Sequence, residues 1–145
     1  DGDMVVLATP EIAGLPYVIS AMIAAGALAS IRYLKTSQIE RARHQERARA
    51  LKRRLKSAGL PVIDNPSHIV PVLVGDPVIC KRVTDTLLDR FGIYVQPINY
   101  PTVPRGTERL RFTPGPAHTE PMMAELTGAL VEIWQRLELD MRKAA

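Results

Sequence analysis

The sequence predicts an α+β fold: a small three-stranded sheet with helices on one side, preceded by a long helix. Three observations point to it. Stretches with helical spacing and stretches rich in β-branched residues follow one another as helix, strand, helix, strand, strand, helix, which suits one layer of helices on a sheet. The length, 145 residues, is that of a single domain, enough to bury a core without disulfide or metal. The composition, 46% hydrophobic and 23% charged, is that of a globular protein and excludes a disordered, collagen-like or disulfide-rich chain.

Each element has its own signal. Ala24–Ala58 reads as one long helix, with Leu34, Ile39, Leu51 and Leu55 recurring at helical spacing and Gly59 as the stop. Leu60–Ile63 is a short extended piece, followed by a turn at Asp64-Asn65-Pro66. Ile69–Val74 is a strand, and Pro71 within it marks an edge or a bulge. Gly75-Asp76-Pro77 turns and starts a helix over 78–91, with Val83, Leu87 and Leu88 inward and Gly92 closing it. Ile93–Gln96 reads as the second strand. Pro97–Gly106 is a proline-rich loop, and Arg109–Thr113 is the third strand. Pro114-Gly115-Pro116 forces a turn, and Thr119 caps a last helix over 120–142, with Leu126, Leu130, Ile133, Trp134 and Leu137 inward.

Charge is uneven. The chain carries +4, yet residues 32–56 hold ten Lys/Arg against Glu40 and Glu46, so this stretch is +8 and the remainder −4. Such a stretch suits a phosphate-rich partner, but the apolar residues spaced through it suit a solvated helix face packed on a core. No aromatic side chain follows Tyr33 there to stack on bases, so no nucleic-acid partner is expected. One cysteine and three scattered histidines exclude an internal disulfide and give no metal-ligand spacing. Residues 12–31 are twenty without a charge, long enough to span a bilayer or associate with one. The acidic residues in front of them do not make a secretion signal, so a cytoplasmic bacterial protein is expected.

The informative stretch is VQPINYPTVPRGTERLRFTPGPAH, residues 95–118. A loop so rich in proline is stiffened before any ligand arrives. Alternation along the strand puts Arg109, Arg111 and Thr113 on one face and Leu110 and Phe112 on the other. A guanidinium beside a rigid loop is a fork for a carboxylate, with a structural ion pair as the alternative for Arg111. His68 reads as a structural histidine, His118 is given no catalytic role, and Cys80 reads as packing.

Residues from about 27 to 145 resemble the C-terminal domain of the 5-aminolevulinate synthases, α-oxoamine synthases within the fold-type-I pyridoxal-phosphate enzymes. AAGALASIRYLK, SHIVPVLVGDP, YVQPINYPTVPRGTERLRFTPGPAHT and the closing helix with Trp134 carry the resemblance. It implies condensation of glycine with succinyl-CoA to 5-aminolevulinate, CoA and CO₂, towards haem, by a homodimer using pyridoxal 5'-phosphate. It maps the arginine that binds the glycine carboxylate onto Arg111. A clamp there fixes rotation about the N–Cα bond, so that one Cα–H stands perpendicular to the cofactor ring. It maps the threonine that contacts the succinyl carboxylate onto Thr102, for which a loop-capping hydroxyl is the alternative.

The same resemblance implies that the Schiff-base lysine, the aspartate on the pyridinium nitrogen, the ring-stacking histidine and the phosphate loop belong to a larger domain upstream. None of the five lysines, Lys35, Lys52, Lys56, Lys81 and Lys143, has the glycine-rich context of that lysine, so no catalytic or cofactor-binding residue is assigned and the chain is expected to be inactive alone. The front departs from the family. Residues 1–26, an apolar lead segment, resemble a stretch of bacterial sodium/solute symporters, without that family's Ser-Thr pair. The sequence therefore divides into a lead over 1–26 and a synthase-like domain over 27–145. The alternative is a non-catalytic hybrid, membrane-associated through 12–31 or nucleic-acid-binding through 32–56.

Overall fold

The computed structural model describes residues 17–139. Helix α1 spans Tyr17–Thr36, α2 Ile39–Ser57, α3 Pro77–Phe91 and α4 Glu120–Arg136; strands β1, β2 and β3 span Val70–Leu73, Gln96–Ile98 and Arg109–Phe112. The chain divides into two compact units between Glu40 and Arg41. The first contains α1 and the second holds the sheet. Of the lead segment, residues 17–26 form the first half of α1, and the rest lies outside the described residues.

The long helix expected over 24–58 is two helices. Ser37-Gln38-Ile39-Glu40 has the Ser-x-x-Glu spacing of a helix start, and it interrupts the run. The Ser37 hydroxyl donates to Glu40 Oε2 at 2.7 Å and accepts from the Ile39 amide at 3.4 Å, while the Tyr33 hydroxyl donates to Glu40 Oε1 at 2.6 Å. The restart leaves the first amides of α2 without i−4 carbonyl partners, and the Ser37 side-chain oxygen takes up one of them.

In the second unit the sheet is antiparallel throughout, with order β1-β3-β2. Val70 lies opposite Phe112 and Val72 opposite Leu110, so one face collects four apolar side chains. Helices α2, α3 and α4 close over that face with Leu51 and Leu55, with Cys80, Val83 and Leu87, and with Leu130, Ile133 and Trp134, all buried. Pro71 sits on the outer strand as its sequence position implies. Its carbonyl accepts the Ile63 amide at 2.9 Å, and Leu73 donates to Pro61 at 2.9 Å, so the piece at 61–63 lies along β1's free edge.

The second strand is three residues later than its pattern suggests. Gly92, at φ 66°, is the left-handed cap of α3, and the Ile93 amide is spent on the Leu87 carbonyl. Pairing with β3 therefore begins only at Gln96 and runs through Pro97 to Ile98. At the other end, α4 stops at Arg136 rather than 142. Glu138 takes a positive φ of 51°, and the Leu139 amide returns to the Trp134 carbonyl at 2.9 Å, which draws Leu137 and Leu139 onto the core. Residues 140–142 lie outside the described residues.

Candidate functional site

Strand β3 delivers two arginines to the same side of the sheet, and they have different fates. Arg109 is half-buried, and its Nε donates to the Thr107 carbonyl at 2.9 Å, so it is spent on its own loop. The Arg111 side chain is exposed, and its guanidinium has no ion pair or hydrogen bond among the described residues, whereas its strand neighbours Leu110 and Phe112 are buried. The structural ion pair that was the alternative for Arg111 is not found there. A guanidinium carried on a paired strand with its donors unspent is available as a fork for a planar anion.

Arg111 lines a cavity of about 600 Å³, between the 91–96 connection, the end of β3 and the first turns of α4. Tyr94, Gln96, Thr113 and Glu125 bring polar groups to it, and Phe91, Phe112 and Met123 apolar ones. His118 also lines it, but its Nδ1 accepts the Gly115 amide at 2.9 Å and so stitches the Pro-Gly-Pro turn. His68 lies against His44, with ring centroids 4.7 Å apart.

Thr102 stands on the loop between β2 and β3, exposed, and is not among the residues lining the cavity. Two threonines of this loop differ as the two arginines do. Thr107 donates its hydroxyl to the Pro104 carbonyl at 2.7 Å and acts as the turn's cap. Thr102 uses only its amide, which donates to the Asn99 carbonyl at 3.0 Å, and its hydroxyl has no hydrogen bond within the described residues. The loop's other cation, Arg105, lies over the Tyr100 ring at 4.9 Å, a cation–π contact.

Sequence reasoning missed Glu108. It is 1% exposed, and its Oε2 accepts the Gly106 amide at 2.9 Å. The signal was in the alternation: 108 shares parity with Leu110 and Phe112, so a strand that points those two inward points Glu108 inward as well. Near it, Cys80 is fully buried and its thiol is pushed up to about 11. Burial is the main cause, the Glu108 and Asp76 carboxylates add to it, and a backbone hydrogen bond at Ile98 opposes it.

The chain's residues 5–130 match the family model for aminotransferase class I and II. The chain is 60% identical over 119 residues to 5-aminolevulinate synthase 1 of Cereibacter sphaeroides, covering 82% of this chain and 29% of that protein. It is 60% identical over 117 residues to the 5-aminolevulinate synthase of Rhizobium meliloti, with 81% and 29% covered. It thus spans about three-tenths of the length of these relatives. Among solved structures, a high-resolution serine palmitoyltransferase carrying PLP aligns at TM-score 0.68 and 29% identity, over 77% of this chain and 28% of that one. An 8-amino-7-oxononanoate synthase from Francisella tularensis, 23% identical, shares the fold at TM-score 0.64 over 81% of this chain and 33% of that one.

The lysines among the described residues do not fit that cofactor's Schiff base. Lys52 Nζ is held by the Asn65 and Ser67 carbonyls at 2.8 and 2.6 Å and by Asn65 Oδ1 at 3.2 Å. Burial pushes it below the usual lysine value, with Asp64 opposing and Lys56 adding. Lys56 pairs with Asp64 and Lys81 with Asp85; Lys35 sits on α1, and Lys143 lies outside the described residues. None of the described lysines lines the cavity beside Arg111. Fold, family match and relatives agree: the chain belongs to the aminotransferase class I and II family, and its fold is that of the small C-terminal domain of the fold-type-I pyridoxal-phosphate enzymes.

Proposed function

We propose that this chain supplies part of the substrate site of a 5-aminolevulinate synthase, the enzyme that joins glycine to succinyl-CoA and releases CoA and CO₂. In this reading Arg111 grips the glycine carboxylate, Thr102 donates its hydroxyl to the succinyl carboxylate, and the intact protein is a pyridoxal-phosphate-dependent homodimer. The observation that carries the reading is the unspent Arg111 guanidinium, two residues from an arginine that is spent, in a chain 60% identical to such a synthase over 119 residues. Two parallel hydrogen bonds to one carboxylate fix the amino acid's rotation as well as its position, so its Cα–H is held in one direction. A hydroxyl at 102 rewards an acyl group that ends in a carboxylate over one that does not. Without a lysine suited to the cofactor, the chain alone is inactive.

The test is a chimaera in which this chain replaces the matching part of the Cereibacter sphaeroides enzyme. R111K keeps the charge and loses the fork, so the glycine KM rises about 10- to 100-fold while the succinyl-CoA KM stays within about twofold. T102A does the reverse, by about 10-fold. An R111K chimaera with unchanged glycine kcat/KM overturns the reading.

A membrane role has one observation in its favour. Tyr17–Thr36 is long and apolar enough to cross a bilayer, with mean hydropathy 1.5, and its Tyr17, Val18 and Met22 are exposed. Release of the whole chain from membranes by carbonate removes that reading.

A further inference from the structure

We propose that Glu108 is a positioning residue for the substrate loop, its buried carboxylate holding the Gly106 amide and so setting where the 99–107 loop presents Thr102. The proposal rests on the reading of Thr102 and Arg111 given above.

A carboxylate is almost never fully buried without a partner, because leaving water costs it far more than apolar packing returns. Glu108 is 1% exposed, and what it meets is the loop's own backbone: Oε2 accepts from Gly106 at 2.9 Å. Its carbonyl accepts two more amides, Val74 at 2.8 Å and Gly75 at 2.9 Å. One residue therefore ties together the end of the loop, the β1–α3 turn and the start of β3, three residues before Arg111. The approach is close. A Cβ on Gly75 would meet the Gly106 carbonyl oxygen at 3.3 Å, and both glycines have positive φ, 81° and 83°. Gly106 adopts that left-handed turn with its amide directed at the carboxylate, so the hydrogen bond selects one conformation of the segment leading back to Thr102. An apolar side chain at 108 fills the space and leaves the Gly106 amide without its acceptor.

The first readout is amide exchange by NMR on the 145-residue chain, which needs no activity. In E108A the Gly106 amide exchanges at least about 10-fold faster while Leu110 and Leu130 keep their protection; E108Q, whose carbonyl still accepts, stays within about threefold. Unchanged Gly106 exchange in a folded E108A overturns the proposal. Should E108A not fold, E108D decides: one methylene shorter, it keeps the charge and withdraws the oxygen, so Gly106 again exchanges faster, and unchanged exchange overturns the proposal. The second readout is the chimaeric synthase. E108A raises the succinyl-CoA KM about 10-fold with kcat within about twofold, and E108Q restores it; a fall in kcat alone overturns the proposal. If Gly106 exchange answers to Glu108 while R111K and T102A leave turnover untouched, the positioning stands and the substrate reading falls.

Discussion

Arg109 and Arg111 show how far alternation carries a reading at the scale of single residues. Period-2 spacing puts both on one face, and the structure does so. Which of the two is engaged depends on the path of the loop behind them, where the Thr107 carbonyl meets Arg109 Nε, and no local pattern encodes that path. Glu108 lies at the other limit, since its parity announced its burial but the acceptor role needed Gly106 in place. Cys80 yields a prediction of its own. An unfolded thiol titrates near 9.0 and the buried one near about 11, so the advantage of the neutral buried form is intact below pH 9 and is lost as pH climbs towards 11. About 2 to 3 kcal/mol disappears over that window. Urea unfolding of the chain and of C80A, compared between pH 8 and 11, checks it: the unsubstituted chain loses more stability than C80A, which lacks the titrating group. Thiol reagents at pH 8 label Cys80 only as fast as the domain opens.

At the scale of elements, the capped helix starts and the glycine stops were legible; the internal break and the end of α4 were not. Asp76 caps α3 by accepting the Val78 and Ile79 amides, each at 2.8 Å, with Pro77 in the first turn, all of which Gly75-Asp76-Pro77 announces. Thr119 caps α4 in the same way. The break between α1 and α2 was harder to see because the apolar and basic spacing runs on across it, and Ser37 needs Glu40 to act. Strand β2 was misjudged for a related reason: Ile93–Val95 has strand-like residues, but the cap of α3 uses the first of their amides. Replacing Asp76 by alanine removes two bonds to otherwise orphaned amides and costs about 1 to 2 kcal/mol, read as a lower urea midpoint with unchanged slope; asparagine, which keeps the acceptor, costs only a few tenths.

At the scale of the molecule, the layer of helices on a three-stranded sheet followed from element order, but the strand order β1-β3-β2 did not. β2 and β3 are consecutive strands joined by one loop, whereas β1 meets β3 across the whole of α3 and β2, from Val70↔Phe112 to Leu73↔Arg109, and the packed core selects that pairing. The basic stretch also looks different once folded. Arg47 and Arg54 share Glu120 and Lys56 reaches Asp64, so two carboxylates from outside the stretch face it, while Lys52 is tied to the uncharged carbonyls of the Asn65–Ser67 turn. The cofactor prediction belongs at this scale. Mixed with pyridoxal phosphate and reduced by borohydride, the chain gains no stable adduct at any of its five lysines, checked by intact mass and peptide mapping, and the chimaeric synthase gains one.

Both outer strands carry a proline, Pro71 on β1 and Pro97 on β2. Backbone groups point to alternate sides along a strand, so the residues that bond β3 are Val70 and Val72 on one flank and Gln96 and Ile98 on the other. Pro97 thus falls where β2 faces away from β3, at the position that would otherwise offer a donor to an incoming chain, while Pro71 faces the 61–63 piece that already lies along the outer flank of β1. One flank of the sheet is therefore covered by the chain's own 61–63 piece and the other is blunted by a proline, so neither offers an unbroken row of donors to a neighbour's strand.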